Sequence, residues 1–292
     1  MKLPDFLCVG AAKSGTTSLH EILSGHKEIF LPERKEIHFF ENDENFNQGK
    51  EWYQQYFQNV KSEKIIGEIT ADYMFYDYVP QRIAGTLGSD IKLIYMLRDP
   101  VDRAFSEYLF NVRRGYFNGT FLQAIENEKQ YDPKKFASRY FTHLNRSMYS
   151  FHLAEMNKVF RNQDKNFFII FEEDFKKNKA TTFSNLLDFL EVSQQNLELD
   201  QVYKPAYVPR FQAIQKLVFA PSKFKKFVKQ FLPSYKLRRK IKDQLLPAIN
   251  KSSAKVEKLD ENVRYDLIKN VFYDDIMRTQ DLVKRDLTIW LK

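Results

Sequence analysis

Ten residues near the start, Gly10-Ala11-Ala12-Lys13-Ser14-Gly15-Thr16-Thr17-Ser18-Leu19, concentrate groups that bind anions. Gly10 and Gly15 permit a tight turn in which backbone N–H groups point toward a common centre. The helix expected from Thr17 to Leu23 adds the partial positive charge of its N-terminus. Lys13 adds a full charge, and Ser14, Thr16, Thr17 and Ser18 add hydroxyl donors. The chemistry implied is the grip of a compact, multiply charged oxyanion.

The spacing is close to the nucleotide phosphate loop Gly-x4-Gly-Lys-Ser/Thr, with a departure that matters. Thr16 follows Gly15 where that loop carries its lysine, and the lysine sits inside the turn as Lys13. No clear aspartate follows a strand to hold a metal ion, so a metal-dependent NTPase is disfavoured and no metal is expected. A second anion-binding group lies in Leu97-Arg98-Asp99-Pro100-Val101-Asp102-Arg103-Ala104-Phe105-Ser106-Glu107-Tyr108. Arg98 offers paired planar donors to a phosphate and Ser106 a hydroxyl. Arg103 reads equally well as a helix-surface ion pair or as a ligand. The third group is Lys35-Glu36-Ile37-His38-Phe39-Phe40, with a carboxylate and an imidazole two residues apart. Read alone, Glu33 to Glu36 is a surface charge cluster. His20, His26, His143 and His152 stand in no such motif.

These groups need elements to hold them. Asp5 to Gly10 is a short apolar run ending in glycine, which reads as a buried strand leading into the turn. Lys64 to Glu68, Lys92 to Leu97 and Asn166 to Phe171 read as further strands. Pro100 suits the first turn of the next helix and Asp99 its cap, which puts Arg98 at a strand end. That helix runs on through Phe105, Tyr108, Leu109 and Val112 on one face. Ala180 to Leu190 forms another, with Phe183, Leu186, Leu187 and Leu190 on one stripe. Alternating strands and helices imply an α/β fold with a parallel sheet and helices on both faces. Ligands of such sheets bind beyond the C-terminal strand ends.

Composition bounds the rest. The chain has 292 residues, 43% hydrophobic, with 27 Phe and 16 Tyr, enough for a large core and too apolar for a disordered chain. One cysteine, Cys8, excludes an intramolecular disulfide and a multi-cysteine metal site. No apolar run is long enough to span a bilayer, and the first residues lack a secretory signal. The net charge is +8, yet nine Lys and Arg fall between Ser222 and Lys242 with no acid among them, so the remainder is near neutral. All nine glycines fall at or before Gly119, so the front reads as strands and loops and the back as mostly helical.

The turn at Gly10–Ser18 resembles the 5′-phosphosulfate loop of sulfotransferases that use 3′-phosphoadenosine 5′-phosphosulfate (PAPS). The Arg98–Tyr108 stretch is similar to that family's 3′-phosphate motif, Arg-x-Pro-x-x-Arg-x-x-Ser-x-Tyr. Glu36-Ile37-His38-Phe39-Phe40 resembles the Glu-x-His-Phe-Phe segment of the heparan sulfate N- and O-sulfotransferases and their bacterial relatives. The middle, from Ser147 to Asp174, and the C-terminal helices from Asn262 to Trp290 are similar to the same family, so the resemblance covers essentially the whole chain. It implies a single domain over residues 1–292, with a P-loop-like, three-layer α/β core in 1–200 and a helical extension in 201–292.

The resemblance also implies roles. PAPS would be held by Lys13, Ser14, Gly15, Thr16, Thr17, Ser18, Arg98, Ser106 and, where the family closes a basic loop, Arg210. Transfer would be an in-line displacement at sulfur that leaves adenosine 3′,5′-bisphosphate, needs no metal, and uses Glu36 as base and Lys13 at the leaving group. Ile37, Phe39 and Phe40 are expected to desolvate Glu36 and raise its pKa. His38 is the competing base or an acceptor contact, with Lys35, Glu68 and Thr70 as further acceptor-side residues. In Gly67-Glu68-Ile69-Thr70-Ala71-Asp72-Tyr73, Ile69 and Ala71 replace a lysine and a proline of the family pattern, which weakens any transfer of acceptor specificity.

The expected acceptor is a carbohydrate hydroxyl or amine. A lipid, phenol or secondary metabolite stays open, and so, more remotely, does a non-catalytic polyanion binder. No nucleic-acid partner is expected. Lys223 to Leu232 has helical period, with Phe224, Phe227, Val228, Phe231 and Leu232 on one face and lysines on the other. It reads as a helix packed on the core with a solvated basic face, or as a peripheral contact of segment 223–242 with an anionic membrane or acceptor. The single cysteine and lack of an anchor depart from the disulfide-bearing, Golgi-anchored animal members. They lead us to expect a cytoplasmic, bacterial-type protein.

Overall fold

The computed structural model describes residues 2–160, 163–199, 209–211, 214–215, 218, 237, 241, 245–252 and 256–292. The basic segment 223–242, apart from Leu237 and Ile241, and the helix expected at 223–232 lie outside the described residues. Five strands form one sheet: β1 (Phe6–Gly10), β2 (Ile29–Phe30), β3 (Ile65–Ile69), β4 (Lys92–Leu97) and β5 (Phe167–Phe171). Their order is β2-β3-β1-β4-β5, and every pairing is parallel. The chain reverses direction of travel across the sheet at β1, so the turn after β1 sits at the switch point where such sheets bind ligands.

Side chains alternate faces along a strand. Phe6, Cys8, Ile94, Met96 and Ile170 pack in one core with Leu19, Ile22 and Leu23 of α1 (Thr16–Leu23) and with Phe183, Leu186 and Leu187 from the helix Lys179–Phe189. The opposite-facing Leu7, Val9, Leu93, Tyr95 and Leu97 are all fully buried too. Both faces are therefore covered, which is why these strands read as unbroken apolar runs. The short β2 escaped the sequence reading because two residues carry no periodicity.

After β2 the chain forms α2 (Asp43–Phe46) and α3 (Gly49–Gln54), and after β3 it forms α4 (Val79–Leu87). The next helix, α5 (Pro100–Arg114), starts where expected: Asp99 Oδ1 accepts from the N–H groups of Val101 and Asp102, both at 2.9 Å. The chain divides into two compact units, one of Met1–Arg103, Arg146–Tyr203 and Tyr265–Lys292, the other of Ala104–Asn145 and Lys204–Arg264. In the second, α6 (Phe121–Glu128) carries a reciprocal Thr120–Gln123 capping box, and Phe105, Tyr108 and Phe121 pack edge-on or tilted. In the first, α7 (Tyr149–Val159) packs against α4 and against a C-terminal helix, Tyr273–Val283. Asp275 of that helix accepts from the backbone N–H and hydroxyl of Ser150, at 3.0 and 2.6 Å. Among the described residues, no helix is long and apolar enough to cross a membrane.

Candidate functional site

The turn after β1 is built for close backbone approach. A Cβ on Gly10 would overlap the Met74 thioether and stand 3.2 Å from the Ala71 carbonyl. Gly15, at φ 102°, forms the left-handed N-cap of α1, and Lys13 between them also has positive φ, 74°. A non-glycine residue in that region is strained. Here the strain keeps the turn curled at the helix N-terminus. Ser14 is fully buried, and its hydroxyl lies against that of Tyr149. Thr16 is buried, Thr17 exposed and Lys13, Gly15 and Ser18 half-buried.

Two arginines brace this turn from below. Arg98 Nη1 donates to the Lys13 carbonyl at 3.4 Å, and the guanidinium is flanked by Glu172 at 3.4 Å and Asp102 at 3.6 Å. Arg103 is fully buried; its Nε donates to Ser147 Oγ at 2.6 Å and its Nη1 to the Ala12 carbonyl at 3.5 Å. The helix-surface ion pair that the sequence allowed for Arg103 is thus corrected: one turn into α5 its side chain points inward, under the loop. The buried Tyr149 hydroxyl, which meets Ser14 and the Arg98 backbone, has its pKa pushed up by burial. Ser106, half-buried on α5, and Arg210, exposed beside Pro209, which bridges to Lys251, belong to the second unit.

The carboxylate group is assembled differently. Glu36 and His38 both sit at left-handed φ, 60° and 58°. Alternating these with Ile37 sends Ile37 into the core while Glu36 and His38 stay accessible. Hydrogen bonds tie the strained backbone to the end of β3: Glu36 N to Ile69 O (3.1 Å), Ile37 N to Thr70 Oγ1 (3.1 Å) and Phe39 N to Tyr73 Oη (3.2 Å). Asn45 Nδ2 caps the carbonyls of Ile37 and His38 from α2.

Glu36 does not have the apolar surroundings expected of it. Ile37, Phe39 and Phe40 point into the core, where Phe39 stacks on Tyr53 at 4.3 Å between ring centroids. The Glu36 carboxylate instead pairs with the Lys35 ammonium and accepts from Ala71 N at 2.9 Å. Ala71 is the same residue whose carbonyl crowds Gly10, so one residue links the carboxylate to the anion-binding turn.

His38 Nδ1 lies 2.5 Å from Glu41 Oε1. Burial alone would lower the imidazole pKa, but the Glu41 carboxylate outweighs it and the net direction is up. Burial raises the fully buried Glu41 carboxyl as well. Asp72 lies close by and pairs with the buried Arg146, whose guanidinium stands 4.2 Å over the Phe75 ring. His38, Glu41 and Asp72 bring their donor atoms within 4.8 Å of one another, and Arg146 supplies the compensating charge. Sequence reasoning missed Glu41, Asp72 and Arg146. Only Glu41 left a trace, three residues after His38; the other two are joined by a 74-residue contact that no local pattern encodes.

Glu68 and Thr70, expected at the acceptor, are 1% and 0% exposed, beneath the carboxylate loop. Burial pushes the Glu68 carboxyl up to about 7. Cys8 beside it has a thiol pushed up to about 12 by burial and is inert at neutral pH.

A family model described as "Sulfotransferase domain" matches residues 3–256. Heparan sulfate glucosamine 3-O-sulfotransferase 5 of Homo sapiens is 37% identical over 107 residues, which cover 37% of this chain and 30% of that protein. Bifunctional heparan sulfate N-deacetylase/N-sulfotransferase 2 of Bos taurus is 31% identical over 202 residues, 66% of this chain and 22% of that protein. The chain therefore spans less than a third of either curated relative. The crystal structure of a sulfotransferase from Alicyclobacillus acidocaldarius matches over 100% of both chains at 25% identity, with a TM-score of 0.69.

Proposed function

The chain belongs to the sulfotransferase family, and on that footing we propose that it moves a sulfuryl group from PAPS to an acceptor hydroxyl or amine on a carbohydrate. The observation that carries the reading is the Ala71 link, which fixes the Glu36 carboxylate beside the anion-binding turn. The turn fits such a donor on its own chemistry: two glycines where a Cβ would intrude or strain the backbone, and a buried Ser14 hydroxyl just before the start of α1. When bound, PAPS supplies an activated sulfuryl group and a good leaving group in adenosine 3′,5′-bisphosphate.

The chain's residues would do the rest. The turn and Lys13 would hold the 5′ end, and Lys13 would meet the charge that grows on the departing phosphate oxygen. Arg98, braced by Glu172 and Asp102, would face the 3′-phosphate, and Ser106 and Arg210 keep the ligand roles that the family resemblance implies. Glu36 would take the acceptor proton as the new S–O bond (S–N for an amine) forms and the S–O bond to the leaving 5′-phosphate breaks. Lys35 would hold the Glu36 carboxylate in place until the acceptor arrives, and His38, oriented by Glu41, would contact the acceptor. Glu68 and Thr70 would support that side from beneath. The names of the two curated relatives reported above, both heparan sulfate enzymes, favour a carbohydrate acceptor.

The test is incubation with radiolabelled PAPS and, in separate arms, polysaccharide, lipid and small-metabolite fractions. Label in the polysaccharide arm is the expected result. Label only in another arm would move the acceptor class. Tight binding of adenosine 3′,5′-bisphosphate with no label in any arm would reduce the chain to a non-catalytic scaffold.

A further inference from the structure

Glu68 lies in β3, one strand away from the anion-binding turn, and is almost completely buried. A buried carboxyl needs partners. It has three, all hydroxyls: Tyr53 Oη donates at 3.0 Å, Thr70 Oγ1 donates to the other oxygen, and Tyr73 also reaches the carboxylate. Two of these hydroxyls have a second task. Thr70 Oγ1 accepts from the Ile37 N–H and Tyr73 Oη from the Phe39 N–H. Those amides flank His38 and follow Glu36, in the strained stretch where both have positive φ.

A hydroxyl has one proton to give. An ionised carboxylate only accepts, so it forces Thr70 and Tyr73 to spend their protons on Glu68 and to turn their lone pairs to the loop. A protonated Glu68, or an amide in its place, must donate to one of these oxygens. Where that oxygen is Thr70 Oγ1 or Tyr73 Oη, the loop amide must share it with a second donor, and its own bond weakens. The strained backbone at Glu36 and His38 is then less firmly tethered.

We propose that Glu68 is a positioning residue: through the polarity it imposes on Thr70 and Tyr73, its ionised form holds the loop that presents Glu36 and His38. The proposal deepens the sulfotransfer reading, which makes Glu36 the base, but its geometry stands without that reading. It also predicts a pH response. Burial pushes the Glu68 carboxyl up to about 7, with its three hydroxyl donors pulling the other way. The charged and titratable groups facing it are Tyr53 from α3, Tyr73 after β3, Glu41 from the carboxylate loop and the neutral Cys8 thiol of β1; the Lys35 and Glu36 charges act on Cys8 from the far side. Tyr53 and Tyr73 stay protonated, since burial raises both phenols well above their ordinary value. Above the folded value Glu68 is ionised and the loop is held; as pH falls through it, the tether weakens.

Hydrogen exchange at the Ile37 and Phe39 amides, corrected for intrinsic rates, reads this directly in the full chain. In the wild type, protection at both should fall several-fold as pH drops through about 7. In Glu68→Gln, with its far-UV spectrum unchanged, protection should be low at every pH and the step absent. Tyr53→Phe removes one donor to Glu68 and keeps the ring that stacks on Phe39, so it should keep the step but move it to higher pH. If Glu68→Gln does not fold, the wild type and Tyr53→Phe decide. Wild-type protection with no step near neutrality, or a step that Tyr53→Phe leaves in place, would overturn the proposal. Radiolabel transfer measured on the same samples separates the two ideas. The exchange pattern without transfer would sink the sulfotransfer reading alone; transfer without the pattern would sink the role of Glu68 alone.

Discussion

The anion-binding turn and the carboxylate loop lie side by side, joined through Ala71, yet they solve opposite problems. The turn is a backbone device. Its shape rests on two glycines and on N–H groups at a helix start, and its two arginine braces grip carbonyls, at Lys13 and Ala12. The loop is a side-chain device. Its polarity is set by buried carboxyls and hydroxyls, at Glu41, Glu68, Thr70 and Tyr73, whose ionisation and proton direction must be right. The first should tolerate changes of pH and fail when a Cβ is added. The second should tolerate small changes of shape and fail when a charge is removed.

The sharpest break between the two comes from Glu36→Gln. Removing a general base costs roughly 10²–10⁴ in turnover. The amide keeps the shape and the carbonyl that accepts from Ala71 N, so the turn is undisturbed. We expect kcat to fall by that factor, with Kd for adenosine 3′,5′-bisphosphate within about twofold of wild type. If the nucleotide affinity falls in parallel, the two regions are not separable. If kcat is kept, His38 is the base.

The converse is Gly15→Ala. A side chain at φ 102° is strained by roughly 1–3 kcal/mol, and its Cβ would press on the Met96 methyl at 3.2 Å. The expected outcome is a lower Tm and nucleotide affinity weakened about tenfold, with no change in the pH dependence of turnover. Calorimetric titration with adenosine 3′,5′-bisphosphate measures it. Unaltered affinity would mean that the nucleotide does not sit in this turn.

The two regions also differed in how far the sequence revealed them. The strands at Phe6–Gly10 and Lys92–Leu97, the Asp99 cap and the glycine turn were legible because each is a local pattern: an apolar run, a cap before proline, a spacing of glycines. Glu36 and His38 were legible as residue types but not in their surroundings. Desolvation by neighbouring aromatics was the natural guess, and it failed because two positive-φ residues turn the aromatics inward and bring Lys35 and Ala71 to the carboxylate instead. Arg103 misled for a similar reason: its position on a helix was clear, but which face met the loop depended on α5 crossing behind it. Arg146 and Asp72 come together only through long-range packing, whereas Thr70 and Tyr73 lie close to Glu68 in sequence but show no pattern that marks them as its partners.

The smallest effect should be at Glu41. Its carboxylate raises the His38 pKa against the effect of burial, and burial raises its own. Both folded values lie above the ordinary ones, so the folded chain binds more protons here than the unfolded chain. The stability from this pair is present at low pH and is lost as pH rises through the raised values. Glu41→Gln removes one titrating group and leaves His38 with burial acting alone, so the His38 value should fall. The slope of stability against pH in the weakly acidic range should flatten. The amide keeps an oxygen for His38 Nδ1–H, so turnover at neutral pH should drop by less than the loss at Glu36, on the order of tenfold. NMR titration of the five histidines, compared between wild type and Glu41→Gln, isolates the change, since only one should move downward. A His38 that titrates identically in both would mean that the pair is not coupled, and that the loop is held by its hydroxyl tethers without help from the charge at Glu41.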